Sequence, residues 1–85
     1  MNVSFRYENM MEGVSKIRTK LVFKRKMLGL SQQKVADGAG ITRAYYASIE
    51  TGRRNPTTKI WTSLAKTLGI TDEELGEMIR LDQDN

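Results

Sequence analysis

The sequence predicts an all-α fold in which five short helices form a single domain. Hydroxyl side chains suited to helix N-caps alternate along the chain with glycines suited to helix ends, and apolar residues recur between them at helical spacing. The chain has one proline and no alternating apolar run long enough for a convincing strand. Its 85 residues suffice for one small domain.

The first predicted helix extends from about Ser15, a candidate N-cap, to Leu28. Ile17, Leu21 and Leu28 share one face of this helix, so we expect all three in the core. Gly29 marks its end, because glycine readily adopts the left-handed conformation that closes many helices.

The second predicted helix starts at the Ser31 cap, runs through about Gly38 and stops at Gly40. A glycine at position 40 takes a positive φ without strain, as a tight turn between two helices requires. The residues expected to face inward are Val35, Ala36 and Ala39.

The third predicted helix follows directly, with Thr42 as its cap, and covers residues 43 to about 51. Tyr46 and Ile49 are three residues apart, so they share a face that we expect to be buried. Gly52 ends this helix and opens a basic loop that leads to Pro56.

Two further helices are predicted after the loop. Thr57 or Thr58 caps the fourth, and Gly69 ends it. The fifth starts with a capping box formed by Thr71 and Glu74. Each of these two helices has an apolar stripe along one face. The stripe of the fourth helix contains Trp61, Leu64, Ala65 and Leu68, and that of the fifth contains Leu75, Met78 and Ile79.

The helices define a domain over residues 14–81, between an N-terminal arm and an acidic tail at residues 82–85. The N-terminal arm comprises residues 1–13. Within it, apolar side chains alternate with polar neighbours at Val3, Phe5 and Tyr7. This pattern fits either a short edge strand or a mobile arm, and we expect the arm.

Composition excludes several classes of function. The chain has no cysteine and no histidine, so disulfides, thiolate or imidazole metal sites and a histidine base are all excluded. It also lacks a glycine-rich phosphate loop and a carboxylate cluster placed for catalysis, so we expect no enzymatic activity, no cofactor and no metal. No apolar run approaches a membrane span and no signal peptide is visible, which predicts a cytoplasmic protein.

Charge is distributed unevenly along the chain. Residues 13–69 hold twelve Lys and Arg against two acids, whereas residues 70–85 hold six acids against Arg80. A basic body with an acidic end predicts a surface that binds a polyanion. A solvated charged surface is the alternative that charge alone leaves open.

Residues 30–56, LSQQKVADGAGITRAYYASIETGRRNP, contain two short capped helices joined by a glycine turn and followed by a basic loop. Small residues at Ala36 and Ala39 let the second of these helices cross the first closely. This arrangement is that of a helix-turn-helix, whose second helix can enter the DNA major groove.

The same segment resembles the Cro/phage-repressor type of helix-turn-helix, also called the xenobiotic response element family. The similarity covers about residues 16–76 and rests on a Ser-Gln start, a Gly-Ile-Thr turn and an Ile-Glu-x-Gly-Arg-x-Asn-Pro ending. The matching residues are Arg25, Leu30, Ser31, Gln32, Val35, Ala36, Gly40, Ile41, Thr42, Tyr46, Ile49, Glu50, Gly52, Arg53, Asn55, Pro56, Leu64, Ala65, Leu68, Gly69 and Ile70. The resemblance implies a five-helix, lambda-repressor-like DNA-binding domain of bacterial, phage or mobile-element origin that binds operator DNA as a dimer.

Four residues of the third helix are candidates for reading DNA bases. Arg43 at its start is suited to guanine, whose O6 and N7 accept two hydrogen bonds. The resemblance makes Ala44 and Ser48 reading positions, and the small Ala44 suits a thymine methyl. Tyr45 is expected to contact a base or a phosphate, or else to lie half-exposed over the second helix.

Candidate phosphate-binding residues surround the helix starts and the basic loop. Backbone N–H groups at a helix start attract anions, and loop cations position a protein on DNA without specifying sequence. The resemblance implies that Gln32 also braces the recognition helix and that Glu50 is structural, paired with a local arginine such as Arg25. The candidates are Ser31, Gln32, Gln33, Thr42, Arg53, Arg54, Asn55, Thr57 and Lys59.

The sequence therefore predicts a transcriptional regulator, most simply a repressor that binds a palindromic operator in double-stranded DNA as a homodimer. Met78, Ile79 and Leu81 either complete the core or form the dimer face. The alternative function is that of an antitoxin or protein-binding adaptor. It would use the same domain and bind a toxin or other regulator through the arm or the tail.

Overall fold

The structure, a computed structural model, describes residues 17–83, with side chains through residue 80. Five helices and no strand occur in this part of the chain, so the predicted all-α class is confirmed. The helices are α1 (Thr19–Met27), α2 (Gln32–Ala39), α3 (Arg43–Glu50), α4 (Thr58–Leu68) and α5 (Asp72–Gln83). The predicted arm and the side chain of Leu81 lie outside the described residues, and α5 continues past residue 82, where the tail was predicted to begin.

The first helix is shorter than predicted, and two of its three expected core residues are wrong. It begins at Thr19, after Arg18, and Ser15 lies outside the described residues. Leu21 is buried, but Ile17 is 56% exposed and Leu28 is 50% exposed. The reason is that both lie beyond the helix ends, where they leave the face that contains Leu21 and packs on α3.

The other helix ends follow the predicted local rules. Ser31, Thr42 and Thr57 cap α2, α3 and α4, and each hydroxyl accepts a hydrogen bond from the backbone N–H three residues later. Gly40 ends α2 with φ of 75°, a conformation that costs other residues about 1 kcal/mol or more. In α5 the predicted capping box is present, because Thr71 N–H donates to Glu74 and Glu74 N–H donates back to the Thr71 hydroxyl.

The core lies at the centre of the helix-turn-helix and extends into α4. The α2 helix packs on both α3 and α4, while α1 packs on α3 and α5 packs on α4. Tyr46, Ile49 and Trp61 are buried as predicted, together with Leu21, Val35, Ala36, Leu64, Ala65, Leu68 and Ile70. Each large apolar side chain removed from water contributes about 1.5–3 kcal/mol, which offsets the cost of ordering so short a chain.

Gly38, which lowers the intrinsic helix propensity of α2, has a packing role. A Cβ atom at this position would lie 2.7 Å from the Thr67 Cγ2 atom of α4. The absence of a side chain therefore lets α2 and α4 approach closely, and the helix-turn-helix is held against α4 at this point. Sequence periodicity contains no signal for this contact, because the two residues are 29 positions apart.

Candidate nucleic-acid interface

The start of α3 presents the predicted reading residues outward. Thr42 caps the helix by accepting a hydrogen bond from Tyr45 N–H at 3.0 Å, so the first turn is held in place. Arg43 and Ala44 are exposed, and Ser48 is half-buried one turn further along. The Ser48 hydroxyl donates to the Tyr45 carbonyl at 2.6 Å, which leaves its oxygen free to accept from a ligand.

Gln32 connects both ends of α3 to the start of α2. Its amide nitrogen donates to the Glu50 carboxylate at 2.9 Å, and its amide oxygen accepts from the Arg43 guanidinium at 3.2 Å. The carboxylate only accepts and the guanidinium only donates, so the two partners together define the orientation of the Gln32 amide. Gln32 thus braces the recognition helix as the resemblance implied, and it also orients Arg43.

Glu50 is held by Arg25, the arginine predicted as its partner. The Arg25 guanidinium donates to both carboxylate oxygens, at 2.5 and 3.3 Å, and to the Leu30 carbonyl at 2.9 Å. Burial raises the pKa of Glu50, but the hydrogen bonds from Arg25 and Gln32 outweigh it and keep the pKa below its usual value. The same pairing with Glu50 raises the pKa of Arg25. The carboxylate is therefore ionised and neutralised within the protein.

The basic loop after α3 is held by Arg18, a residue that sequence reasoning missed. Its guanidinium donates to the Ile49 and Arg54 carbonyls at 2.6 and 2.9 Å and to the Asn55 side-chain oxygen at 2.7 Å. It also lies 5.7 Å from the centre of the Trp61 ring. These partners are 31 to 43 positions away along the chain, so no local pattern could have identified the role of Arg18.

The loop also folds back on α3, which brings several predicted residues together. The backbone N–H groups of Arg53 and Arg54 both donate to the Ser48 carbonyl, at 2.9 and 3.2 Å. The Arg54 guanidinium lies 6.0 Å from the centre of the Tyr45 ring, at the outer limit of a cation–π contact. Tyr45 packs against the core while remaining half-exposed, so part of its side chain is accessible to a ligand.

The remaining predicted phosphate-binding residues lie at helix starts, apart from Asn55, which lies in the basic loop. The capping hydroxyls of Ser31, Thr42 and Thr57 each accept from the backbone, so each retains an O–H that can donate to a phosphate. Gln33 donates to Asp37 on its own helix at 2.8 Å, and Lys59 is exposed in the first turn of α4. Asn55 keeps its amide N–H groups for a ligand, since Arg18 uses only its oxygen.

The chemistry of this surface is that of an anion-binding face. Four cations are exposed along it, namely Arg43, Arg53, Arg54 and Lys59, whereas the Glu50 carboxylate is buried and paired with Arg25. Among residues 17–83 no cluster of acidic side chains is arranged to hold a metal ion. Within the same residues, no helix combines the length and apolarity needed to cross a bilayer.

Comparison with known proteins gives consistent matches to this architecture. A family described as "Helix-turn-helix" matches residues 23–75. A helix-turn-helix-type transcriptional regulator of Methanothermobacter thermautotrophicus is 34% identical over 80% of this chain and 96% of its own length. The regulator y4dJ of Sinorhizobium fredii is 41% identical over 60% of the chain, and the prophage-derived regulator YonR of Bacillus subtilis is 43% identical over 55%. The chain spans 66% and 44% of the lengths of these last two relatives.

A solved structure shows the same fold. The restriction-modification controller protein C.AhdI from Aeromonas hydrophila superposes with a TM-score of 0.65 at 34% identity. The superposition covers 68% of this chain and 88% of the controller protein. These matches agree with the outward-facing start of α3 and its cationic surroundings. The chain therefore belongs to the Cro/C1-type helix-turn-helix family of DNA-binding transcriptional regulators.

Proposed function

We propose that this regulator represses transcription by binding a palindromic operator as a homodimer, with α3 in the major groove of each half-site. We further propose that the regulator acts in the cytoplasm. The observation that carries it is the exposed start of α3, where Arg43 and Ala44 project beside a loop that carries Arg53 and Arg54. A two-fold pair of such helices matches half-sites about 34 Å apart, one turn of DNA.

Roles differ between the two groups of residues. Arg43, Ala44, Tyr45 and Ser48 read base edges, and Gln32 keeps the Arg43 side chain in position before DNA arrives. The helix starts and the loop bind phosphates and set the register on the duplex. The phosphate-binding residues are Ser31, Gln32, Gln33, Thr42, Arg53, Arg54, Asn55, Thr57 and Lys59. The antitoxin alternative depends on residues 1–13 and the tail, and no described contact favours it.

Selection from random double-stranded DNA, followed by binding titrations over a range of salt, tests this function. We expect a palindromic product and an affinity that falls steeply with salt, because phosphate contacts release counterions. Arg43→Ala should relax the preference at one base position in each half-site by about 1–3 kcal/mol. Arg53→Ala should weaken all sequences alike and reduce the salt slope by about 1.

Lys66→Ala is the matched control, since Lys66 is an exposed cation in the last turn of α4, at the opposite end of that helix from Thr57 and Lys59. It should leave both the base preference and the salt slope nearly unchanged. A selection that enriches no sequence, or binding that is insensitive to salt, would contradict the proposed function.

A further inference from the structure

Arg18 contacts three consecutive parts of the chain: the end of α3, the basic loop and the start of α4. It is half-buried, and its guanidinium Nη1 atom donates to the carbonyls of Ile49 and Arg54, at 2.6 and 2.9 Å. Its backbone N–H donates to the Glu50 carbonyl at 2.8 Å. The guanidinium also lies 5.7 Å from the centre of the Trp61 ring of α4. Arg18 therefore fixes the loop relative to both helices that flank it.

The contact between Arg18 and Asn55 defines how the Asn55 side chain is presented. The Arg18 Nη2 atom donates to the Asn55 Oδ1 atom at 2.7 Å. A guanidinium has no acceptor, so the amide oxygen faces Arg18 and the amide N–H groups face away from it. Asn55 is exposed, so these N–H groups are accessible to an anion such as a phosphate oxygen. If the amide were free to rotate, it would present its oxygen to a phosphate as readily as its donors.

The loop backbone is held from two sides. The N–H groups of Arg53 and Arg54 donate to the Ser48 carbonyl of α3, while the Arg54 carbonyl accepts from Arg18. The exposed cations of the loop are therefore attached to a backbone that is ordered in the absence of DNA. A loop that is ordered in advance loses less conformational entropy when a ligand binds, which raises affinity without any new contact.

We propose that Arg18 is a positioning residue for DNA binding, which directs the Asn55 amide and the loop cations towards the DNA phosphates. This inference rests on the proposed function and adds to it a residue that lies before α1, outside the helix-turn-helix itself. Phosphate contacts fix the register of a protein on the duplex but carry no sequence information. Loss of Arg18 should therefore weaken binding to all sequences alike and leave the base preference unchanged.

Arg18→Lys separates this role from that of a positive charge. Lysine keeps the charge and can contact a phosphate, but it lacks the planar fork that serves several acceptors at once. We expect the dissociation constant for the selected operator and for its base-substituted variants to rise about tenfold. Ile70→Val is the stability control, because it removes a buried methylene just after α4. It should lower the urea midpoint but leave DNA affinity unchanged, and circular dichroism checks that each variant is folded.

A double-mutant cycle with Asn55→Ala tests whether Arg18 acts through the loop. Asn55→Ala alone should also raise the dissociation constant about tenfold, because a hydrogen bond to a charged group is lost. If Arg18 acts by directing Asn55, the double variant should bind no more than about threefold more weakly than the weaker single variant. Independent roles would instead multiply to a loss of about 100-fold.

Hydrogen exchange without DNA measures the order of the loop directly. The amides of Arg53 and Arg54 should exchange about tenfold faster in Arg18→Lys, because the loop opens locally. The amide of Ile70, which donates to the Ala65 carbonyl at 2.9 Å, should change much less.

Four results would overturn the inference and leave the proposed function intact. They are unchanged affinity in Arg18→Lys, an equal loss of affinity in Ile70→Val, losses that multiply in the cycle, and unchanged exchange of the loop amides. Failure of the unsubstituted protein to bind any DNA would contradict the proposed function, and the inference would fall with it.

Discussion

Replacement of Glu50 by glutamine should remove a large part of the folding stability. Glu50→Gln keeps the shape of the side chain but removes the charge that Arg25 and Gln32 hold. The side chains of Arg25 and Glu50 are only 12% and 6% exposed, so the Arg25 cation would be left nearly buried without its counterion. Loss of one partner from a buried pair costs about 3–5 kcal/mol. The amide can still accept one hydrogen bond, so we expect about 2–3 kcal/mol.

Urea unfolding followed by the fluorescence of Trp61, the only tryptophan, measures this loss. With a slope of about 1 kcal/mol per molar urea for so small a domain, the midpoint should fall by roughly 2–3 M. Glu77→Gln is the matched control, because Glu77 is exposed and its two ion pairs, with Lys20 at 4.0 Å and with Arg80 at 3.4 Å, both lie at the surface. That control should cost less than about 0.5 kcal/mol.

The effect should also depend on pH in a defined direction. Since the pKa of Glu50 is lower in the folded protein, its charge stabilises the fold above the unfolded pKa of about 4.3. That contribution is lost as the pH falls through the folded pKa, where the unchanged protein also becomes neutral at this position. The difference between the two proteins should therefore shrink below about pH 4. A difference that stays constant from pH 7 to pH 3, or a midpoint shift no larger than that of Glu77→Gln, would refute this reasoning.

Two further predictions concern local packing and capping. Gly38→Ala should destabilise the protein by about 1–2 kcal/mol, because the new methyl group meets the Thr67 side chain. In a Thr67→Ala background the same change should instead stabilise the protein by up to about 1 kcal/mol, because alanine has the higher helix propensity. Urea midpoints of the four proteins check this, and the same sign in both backgrounds would contradict it. Thr42→Ala should cost about 1 kcal/mol and lower DNA affinity, whereas Thr42→Ser should restore the cap and both quantities; equal effects of the two substitutions would argue against a capping role.

Most of the helix boundaries could be predicted from short-range chemistry. The hydroxyl caps and the Thr71–Glu74 box act over three residues, and Gly40 ends α2 through its own φ angle. Helical spacing also identified Tyr46, Ile49 and Trp61 as core residues, because each lies within a regular helix. The same spacing rule was wrong for Ile17 and Leu28, since both fall just outside α1.

The candidate site was predicted in part. The resemblance identified Arg25 as the partner of Glu50, and the exposed positions of Arg43 and Ala44 agree with their place on α3. The arrangement of Gln32 between Arg43 and Glu50 was predicted only as a general brace. How the loop is held on Arg18 was not predicted at all.

The sequence by itself determined the five helices, most of their ends and the identity of the recognition helix, because capping, glycine conformation and helical periodicity all act between residues close together in the chain. Only the tertiary structure decided how the recognition surface is held. It showed that the absence of a side chain at Gly38 leaves room for Thr67 of α4, and that Arg18 holds the basic loop after α3. It also showed an apolar groove between α1 and α5. These features join residues roughly 30 to 55 positions apart, and such contacts depend on how the helices pack rather than on any local pattern.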